Sequence, residues 1–173
     1  MPHVWDLVRF LVVCVLAFTF IVVSPAHAQT GSASPSNLVG VELLGRAVLY
    51  SVNYERSIAR RIGLGIGVAT VSVRGWWISS TRTTTMFLPM YVSLNPLGDT
   101  HSLYVATGIT PMLRRRTSTY EGTRFFVEAT QTATLGYQYR SSDSGLVIRP
   151  TINYISYDRG LILWPGVTIG RTW

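Results

Sequence analysis

Apolar side chains recur at every second position in one segment after another of this chain, down to its last residue, Trp173. Between 86 and 95, Met86, Leu88, Met90, Val92 and Leu94 fall on one side, and Phe87, Pro89, Tyr91, Ser93 and Asn95 on the other. Neighbouring side chains of an extended strand point to opposite faces, so this period specifies sheet with one greasy face. An apolar face repeated in every strand must be covered. No helical period long enough to supply a second layer is present. Such a sheet suggests a barrel, its apolar face turned outward against lipid or, in a soluble barrel of lipocalin type, inward around a core.

The first residues decide between these in favour of lipid. Phe10 to Val23 is an apolar run of signal-peptide length, too short for a comfortable membrane-spanning helix. Pro25 and Ala26-His27-Ala28 follow, an A-x-A-like site at which cleavage leaves Gln29 first. The competing reading is an uncleaved inner-membrane anchor, because Arg9 is offset by Asp6. Cys14, the one cysteine, sits inside the run behind Leu11-Val12-Val13, without the small residue that a lipoprotein site needs just before it. Residues 1–28 are thus expected to be removed, and the only thiol with them. Residues 29–37, rich in Ser, Gly and Pro, read as a flexible lead-in, and residues 38–173 as one domain. Export of a sheet with an apolar face on every strand predicts a barrel in the cell outer membrane.

Parity turns the alternation into a strand count. Ile62–Val73, Met86–Asn95, Leu103–Met112, Phe125–Arg140, Gly145–Tyr157 and Leu161–Trp173 each alternate. Asn95–Thr100 and Ser141–Ser144 read as tight turns, Gly75–Thr84 and Arg114–Thr123 as longer polar loops. Bacterial outer-membrane barrels have short periplasmic turns, longer outer loops and an even number of strands. With the short turns inside, the short link Ser57–Arg61 is also periplasmic and Val48–Arg56 runs downward. One more upward strand is then required, and Leu38–Leu44, turning at Gly45-Arg46, supplies it. The expected fold is all-β, an eight-stranded antiparallel transmembrane up-and-down β-barrel. Reading 38–56 as one long strand instead gives seven and breaks the topology.

Val48, Tyr50, Val52 and Tyr54, then Ile62, Leu64, Ile66 and Val68, and later Leu146, Ile148, Ile152 and Tyr154, are placed against lipid. Ser51, Asn53 and Glu55, the glycines at 63, 65 and 67, and Arg149, Thr151 and Asn153 are placed inside. An eight-stranded barrel is only wide enough for side chains to fill. The glycine stripe leaves room there for Tyr91, Tyr104 and Trp164. Unpaired buried charge is costly, so Arg149 is expected to bridge Glu55, Glu128 or both as a polar plug, with Glu42 a possible fourth member. A filled lumen argues against a pore.

The base count is all arginine, and the formal net charge is +7. Export argues against nucleic acid, which leaves outer-membrane lipid and the phosphates of lipopolysaccharide as anionic partners. Arg114, Arg115, Arg116 and Arg124 are expected in one long outer loop, and Arg74 and Arg82 in another beside Trp76-Trp77. Arginine forks suit phosphate oxygens and tryptophans favour the headgroup level, so these six arginines are candidate lipopolysaccharide contacts. Catalysis is not expected. Asp99, His101 and Ser102 are a nominal triad, but they are adjacent in sequence, where a strand points neighbours apart, and nothing resembles an oxyanion site. With one histidine after residue 28, no cysteine and no spaced carboxylates, neither metal nor cofactor is expected.

The stretch Val41-Glu42-Leu43-Leu44-Gly45-Arg46-Ala47-Val48-Leu49-Tyr50-Ser51-Val52-Asn53-Tyr54-Glu55-Arg56 resembles the opening of a group of small, uncharacterised bacterial outer-membrane β-barrel proteins. Gly145-Leu146-Val147-Ile148-Arg149-Pro150 and Trp164-Pro165-Gly166-Val167-Thr168-Ile169-Gly170 resemble their end. The resemblance implies the fold and the location and brings no activity. The last strand is also similar to the signal read by the barrel-assembly machinery: Trp173, Ile169 and Val167 fit, while Arg171 stands where an apolar residue is usual. The function expected is structural or envelope-interacting. The alternative is passive transport of small hydrophobic molecules through a lateral opening, with Pro89, Pro111 and Pro150 marking the gap.

Overall fold

In the computed structural model, described for residues 36–74, 81–95, 100–118, 122–157 and 160–173, the alternating segments are strands. They are β1 (Asn37–Leu44), β2 (Tyr50–Ala59), β3 (Ile62–Arg74), β4 (Arg82–Phe87), β5 (Met90–Leu94), β6 (His101–Ser118), β7 (Gly122–Arg140), β8 (Leu146–Tyr157) and β9 (Gly160–Thr172). Residues 1–28, expected to be an export signal, nearly all of the expected lead-in and the Trp76-Trp77 pair lie outside the described residues.

Apart from β4 and β5, each strand pairs antiparallel with its sequence neighbour, and β9 returns to pair with β1, with Ile169 opposite Val41. The seam is finished at its last residues, where Asn37 and Trp173 exchange backbone hydrogen bonds of 3.0 and 3.1 Å. β4 and β5 are two halves of a single stave: both pair with β3 and with β6. The register is the same on either side of Leu88-Pro89, with Phe87 opposite Ala69 and Met90 opposite Ile66. The ring therefore has eight staves. Closure leaves no open sheet edge along the ring, the condition for sheet to cross a bilayer. Residues 38–56 form a hairpin, Leu43 opposite Tyr50, as parity requires.

Proline lacks the N–H that a ladder uses, which is why the strand breaks at Pro89. Its carbonyl is still taken by the Gly67 N–H at 2.7 Å, and the Leu88 N–H donates to the Pro111 carbonyl at 3.0 Å. Pro111 lies opposite Ala129 and Pro150 opposite Val167 without a shift. The wall runs on past all three prolines.

Several boundaries differ from the sequence expectation, most at the two stretches read as long loops. Residues 82–84 and 114–118 are strand, not loop, and β7 starts at Gly122. Threonine suits a pleated surface, and here it pairs across the ladder: Thr117 lies opposite Thr123 with hydroxyls 3.3 Å apart, and Ser72 and Thr84 hydroxyls are 3.1 Å apart. Polarity in these stretches marks height beyond the apolar belt, not the end of the strand. The rim is consequently uneven. β7 is laddered to β8 only from Gln131 onward, and β2 to β3 only as far as Val68. At the end away from Asn37 and Trp173, β3, β4, β6 and β7 stand above the other staves as a four-stranded wall.

Candidate functional site

The lumen is built from the half of each strand that does not meet lipid. Glu42, Ser51, Asn53, Glu55, Ser93, Gln138, Arg149 and Asn153 are buried there, with Tyr91 and Tyr104. Gly65 lies directly opposite Tyr91, and a Cβ on it would overlap the tyrosine ring. A Cβ on Gly63 would sit 2.8 Å from a Glu55 carboxylate oxygen, and one on Gly67 2.9 Å from Pro89. The stripe is the mould of the side chains opposite.

Two arginines and two glutamates organise this interior. The Arg149 Nη1 donates to Glu55 Oε2 at 2.8 Å, and its Nε and Nη2 donate to Gln138 Oε1 at 3.0 and 2.5 Å. Its guanidinium lies 3.7 Å from the centre of the Tyr104 ring. Glu55 also accepts from Ser93 at 2.7 Å and Tyr91 at 3.3 Å. Glu42 accepts from Ser51 at 3.3 Å and Asn53 at 3.2 Å. Arg46 stands 3.6 Å over the Tyr91 ring, donates to Tyr104 Oη at 3.1 Å, and has its Nε 3.8 Å from Glu42 Oε1. Two positive and two negative charges cancel, and both tyrosines serve the cations with their rings. Arg149 and Glu55 are paired and hydrogen-bonded as buried charges require, whereas among the described residues Arg46 Nε and Nη1 and Glu42 Oε1 have no hydrogen-bond partner and are held by charge and ring contact.

Arg46 reaches the lumen because the β1–β2 connection folds inward. Gly45 takes φ +79° in a three-residue 3-10 turn, Gly45–Ala47. Val48, at φ 72° and ψ −54°, closes a γ-turn in which the Leu49 N–H donates to the Ala47 carbonyl at 2.9 Å. That is a strained conformation for a β-branched residue. Trp164 holds it, its Nε1 donating to the Val48 carbonyl at 3.0 Å.

Of the residues singled out in the sequence, Glu55 and Arg149 come together here and Glu128 does not. Glu128 has the inward parity, but it sits opposite Met112 on the raised part of β7, above the lumen. It pairs instead with Arg114, 3.2 Å away, both half exposed. Arg46 was read only as part of a turn. Charge counting could have found it, because Glu42 and Glu55 in a closed lumen require a second base and Arg46 is the nearest.

The six arginines at the other polar stretches gather on the raised wall. Arg74 lies opposite Arg82, and Arg116 opposite both Thr83 and Arg124. Register also sorts them. Arg74, Arg82 and Arg115 continue the outward face of Val68, Met86 and Leu113. Arg114, Arg116 and Arg124 continue the inward face of Met112 and Thr110. His101, at the opposite end, is exposed beside Tyr137 and Tyr139, while the neighbouring Ser102 is buried and donates to the Leu103 carbonyl. The two point apart. Asp99 lies outside the described residues. Among the described residues no group of three His, Cys, Asp or Glu side chains gathers as a metal would need.

No family model matches the chain, and no curated protein does. Among solved structures it is similar to Ail, the attachment invasion locus protein of Yersinia pestis, in complex with the heparin analogue sucrose octasulfate. The TM-score is 0.56 at 13% identity, over 82% of this chain and 100% of that one. It is also similar to the N-terminal β-barrel domain of Pseudomonas aeruginosa OprF, with TM-score 0.56 at 10% identity over 80% and 97% of the two chains. Identities this low carry the fold alone. The closed ring and its apolar outer surface define the class: a small eight-stranded outer-membrane β-barrel, located in the outer membrane.

Proposed function

We propose that the barrel is a non-enzymatic outer-membrane protein that holds lipopolysaccharide phosphates on the outer face of its raised wall, around a lumen filled as a structural plug. One observation carries this reading. On three adjacent staves the outward apolar run ends in a hydroxyl residue or directly in an arginine: Ser72 then Arg74, Thr84 then Arg82, Leu113 then Arg115. On β6 the outward apolar positions extend from Leu103 to Leu113, close to the roughly 9–11 residues that a tilted strand needs to cross the hydrocarbon. The arginines therefore begin where the headgroups begin, and forked guanidiniums suit phosphate oxygens. The strands rise beyond the apolar belt at this end, as the longer outer hairpins of bacterial barrels do, so the wall is read as facing out and the end that carries Asn37 and Trp173 as periplasmic. Arg56 and Arg171, outward at the terminal end, bracket the belt from below. Biogenesis fits the assembly machinery through β9, whose Trp173 completes the seam.

The experiment compares lipopolysaccharide binding by wild type with that of R74S/R82S/R115S, each refolded into neutral phospholipid nanodiscs. The triple variant is expected to bind at least about tenfold more weakly, the loss of one or more charge-assisted hydrogen bonds. Equal binding would overturn the reading.

A further inference from the structure

At the end that carries Asn37 and Trp173, the outward residues form a small lattice across the seam where the ring closes. β9, β1 and β2 are adjacent in that order, and their register sets the outward positions in rows. The first row is Ile169, Val41 and Val52, all exposed and apolar. The second is Arg171, Val39 and Tyr54. The third is Trp173, Asn37 and Arg56, with Asn37 held to Trp173 by the two backbone bonds that finish the seam. Two arginines thus stand at opposite corners around Val39 and Asn37. Two strand spacings across and one two-residue repeat along put their backbones on the order of 12 Å apart.

Arg171 interrupts an apolar row. Leu146 lies opposite it on β8 and Val39 on β1, with Ile169 two residues before it on its own strand. A guanidinium in such surroundings on a membrane wall is costly unless an anion meets it. Among the described residues neither Arg171 nor Arg56 has a hydrogen bond or ion pair, whether to Asp143 in the β7–β8 turn at the same end, to the Trp173 carboxylate or to any other group. Asn37 adds donors: the Tyr54 hydroxyl donates to its Oδ1 at 2.9 Å, which leaves its amide N–H groups. Tyr54 and Trp173, the latter 65% exposed, mark the headgroup level, to which long arginine side chains extend. Two guanidinium forks and an amide donor suit a phosphodiester whose other substituent is uncharged. A headgroup ammonium would meet two cations instead.

We propose that the β9–β1–β2 seam binds one anionic phospholipid, its phosphate between Arg171 and Arg56, its polyol headgroup at Asn37 and its chains along Ile169, Val41 and Val52. On the orientation read above, this lipid belongs to the periplasmic leaflet. Arg171 and Arg56 stand on the strands either side of β1, so the phosphate ties the last strand to the second across the closure of the ring. Neither arginine belongs to the lipopolysaccharide contact.

The test uses the barrel refolded in uncharged detergent, with the folding of each variant checked by its heat-dependent gel mobility. Phosphatidylglycerol is titrated in and bound lipid is counted by native mass spectrometry. Phosphatidylethanolamine with the same chains and chain-free glycerol phosphate are the controls. Wild type is expected to hold one phosphatidylglycerol at least about tenfold more tightly than R56S/R171S. R60S/R61S, which removes two exposed arginines from the β2–β3 turn at the same end, is expected to stay within about twofold of wild type. Phosphatidylglycerol should also raise the temperature of the mobility shift in wild type and leave that of R56S/R171S unchanged. Should R56S/R171S not refold, Arg171→Leu takes its place: it completes the apolar row and is expected to bind several-fold more weakly. Equal losses in R56S/R171S and R60S/R61S would show attraction by net charge alone and overturn a built site. So would phosphatidylethanolamine bound as tightly, or lipid displaced by an equal concentration of glycerol phosphate. R74S/R82S/R115S should keep phosphatidylglycerol whether or not it keeps lipopolysaccharide, so each reading can fail without the other.

Discussion

Arg149 reaches across the lumen to Glu55, 94 positions earlier in the chain, and holds its carboxylate at 2.8 Å with both side chains buried. The pair joins β8 to β2, two staves that are not neighbours in the ring. Removing one partner strands the other charge. Arg149→Leu should therefore cost roughly 3–5 kcal/mol of unfolding free energy, whereas E55Q/R149M, which removes both charges, should recover most of it. The measurement is urea unfolding in detergent micelles with both variants side by side. Equal losses in single and double variants would mean that packing, not charge pairing, holds this level of the barrel.

The stripe of glycines makes a narrower claim. A methyl group on Gly65 would overlap the ring of Tyr91, which Arg46 covers from the other side. The ring cannot retreat without losing that contact. Gly65→Ala should destabilise by about 1–3 kcal/mol, and by much less in a Tyr91→Leu background, where the space exists. A double-mutant cycle gives the coupling directly; additive effects would show that the glycine serves the backbone instead.

The strand pattern was legible in the sequence because a period of two survives any register, and parity then supplied the count. The lumen pair was legible because Glu55 and Arg149 lie on inward positions and each needs a partner. Height was not legible. Glu128 and the arginines at 114, 116 and 124 share inward parity with Thr110 and Gln138, yet they stand above the rim. Only the unequal reach of β7 over β8 reveals this, and alternation has no term for it. Arg46 was hidden for a different reason: its position comes from a turn folding inward, set by Gly45 and by the Trp164 bond to Val48, 116 residues apart.

That turn is the lid of the lumen, and its geometry depends on few atoms. A Cβ on Gly45 would meet the Glu42 side chain, and the glycine's φ of +79° is one that other residues adopt at a cost. Gly45→Val should expel the turn, and Arg46→Ala should remove its anchor while leaving the backbone free to stay. Both are expected to lower stability by about 2–4 kcal/mol through loss of the ring contact, of the hydrogen bond to Tyr104 and of the positive charge beside the buried Glu42 carboxylate. Amide hydrogen exchange distinguishes them from global loosening: protection should fall first at Leu44 and Leu49, whose backbones are bonded at 2.6 Å. Uniform loss around the ring would reject a local lid.

The outward face permits a test of where lipid ends. Leu135 and Ile152 point outward and are more than half exposed in the isolated chain, which is tolerable only if hydrocarbon covers them. Arg115 stands just beyond the apolar run of its own strand, and Asn153 is buried on the lumen side. With Cys14 replaced, single cysteines at 135, 115 and 153 can carry a nitroxide in turn. In a bilayer, the label at 135 should collide with oxygen and not with a water-soluble nickel chelate. The label at 115 should meet both, as expected of the headgroup boundary. The third position should be nearly closed to either reagent, or fail to label in the folded barrel, because the plug leaves no room. A label at 135 as accessible to nickel as one at 115 would place the apolar face in water. The chain would then be a barrel of some other kind, and the arginines could not mark a membrane surface.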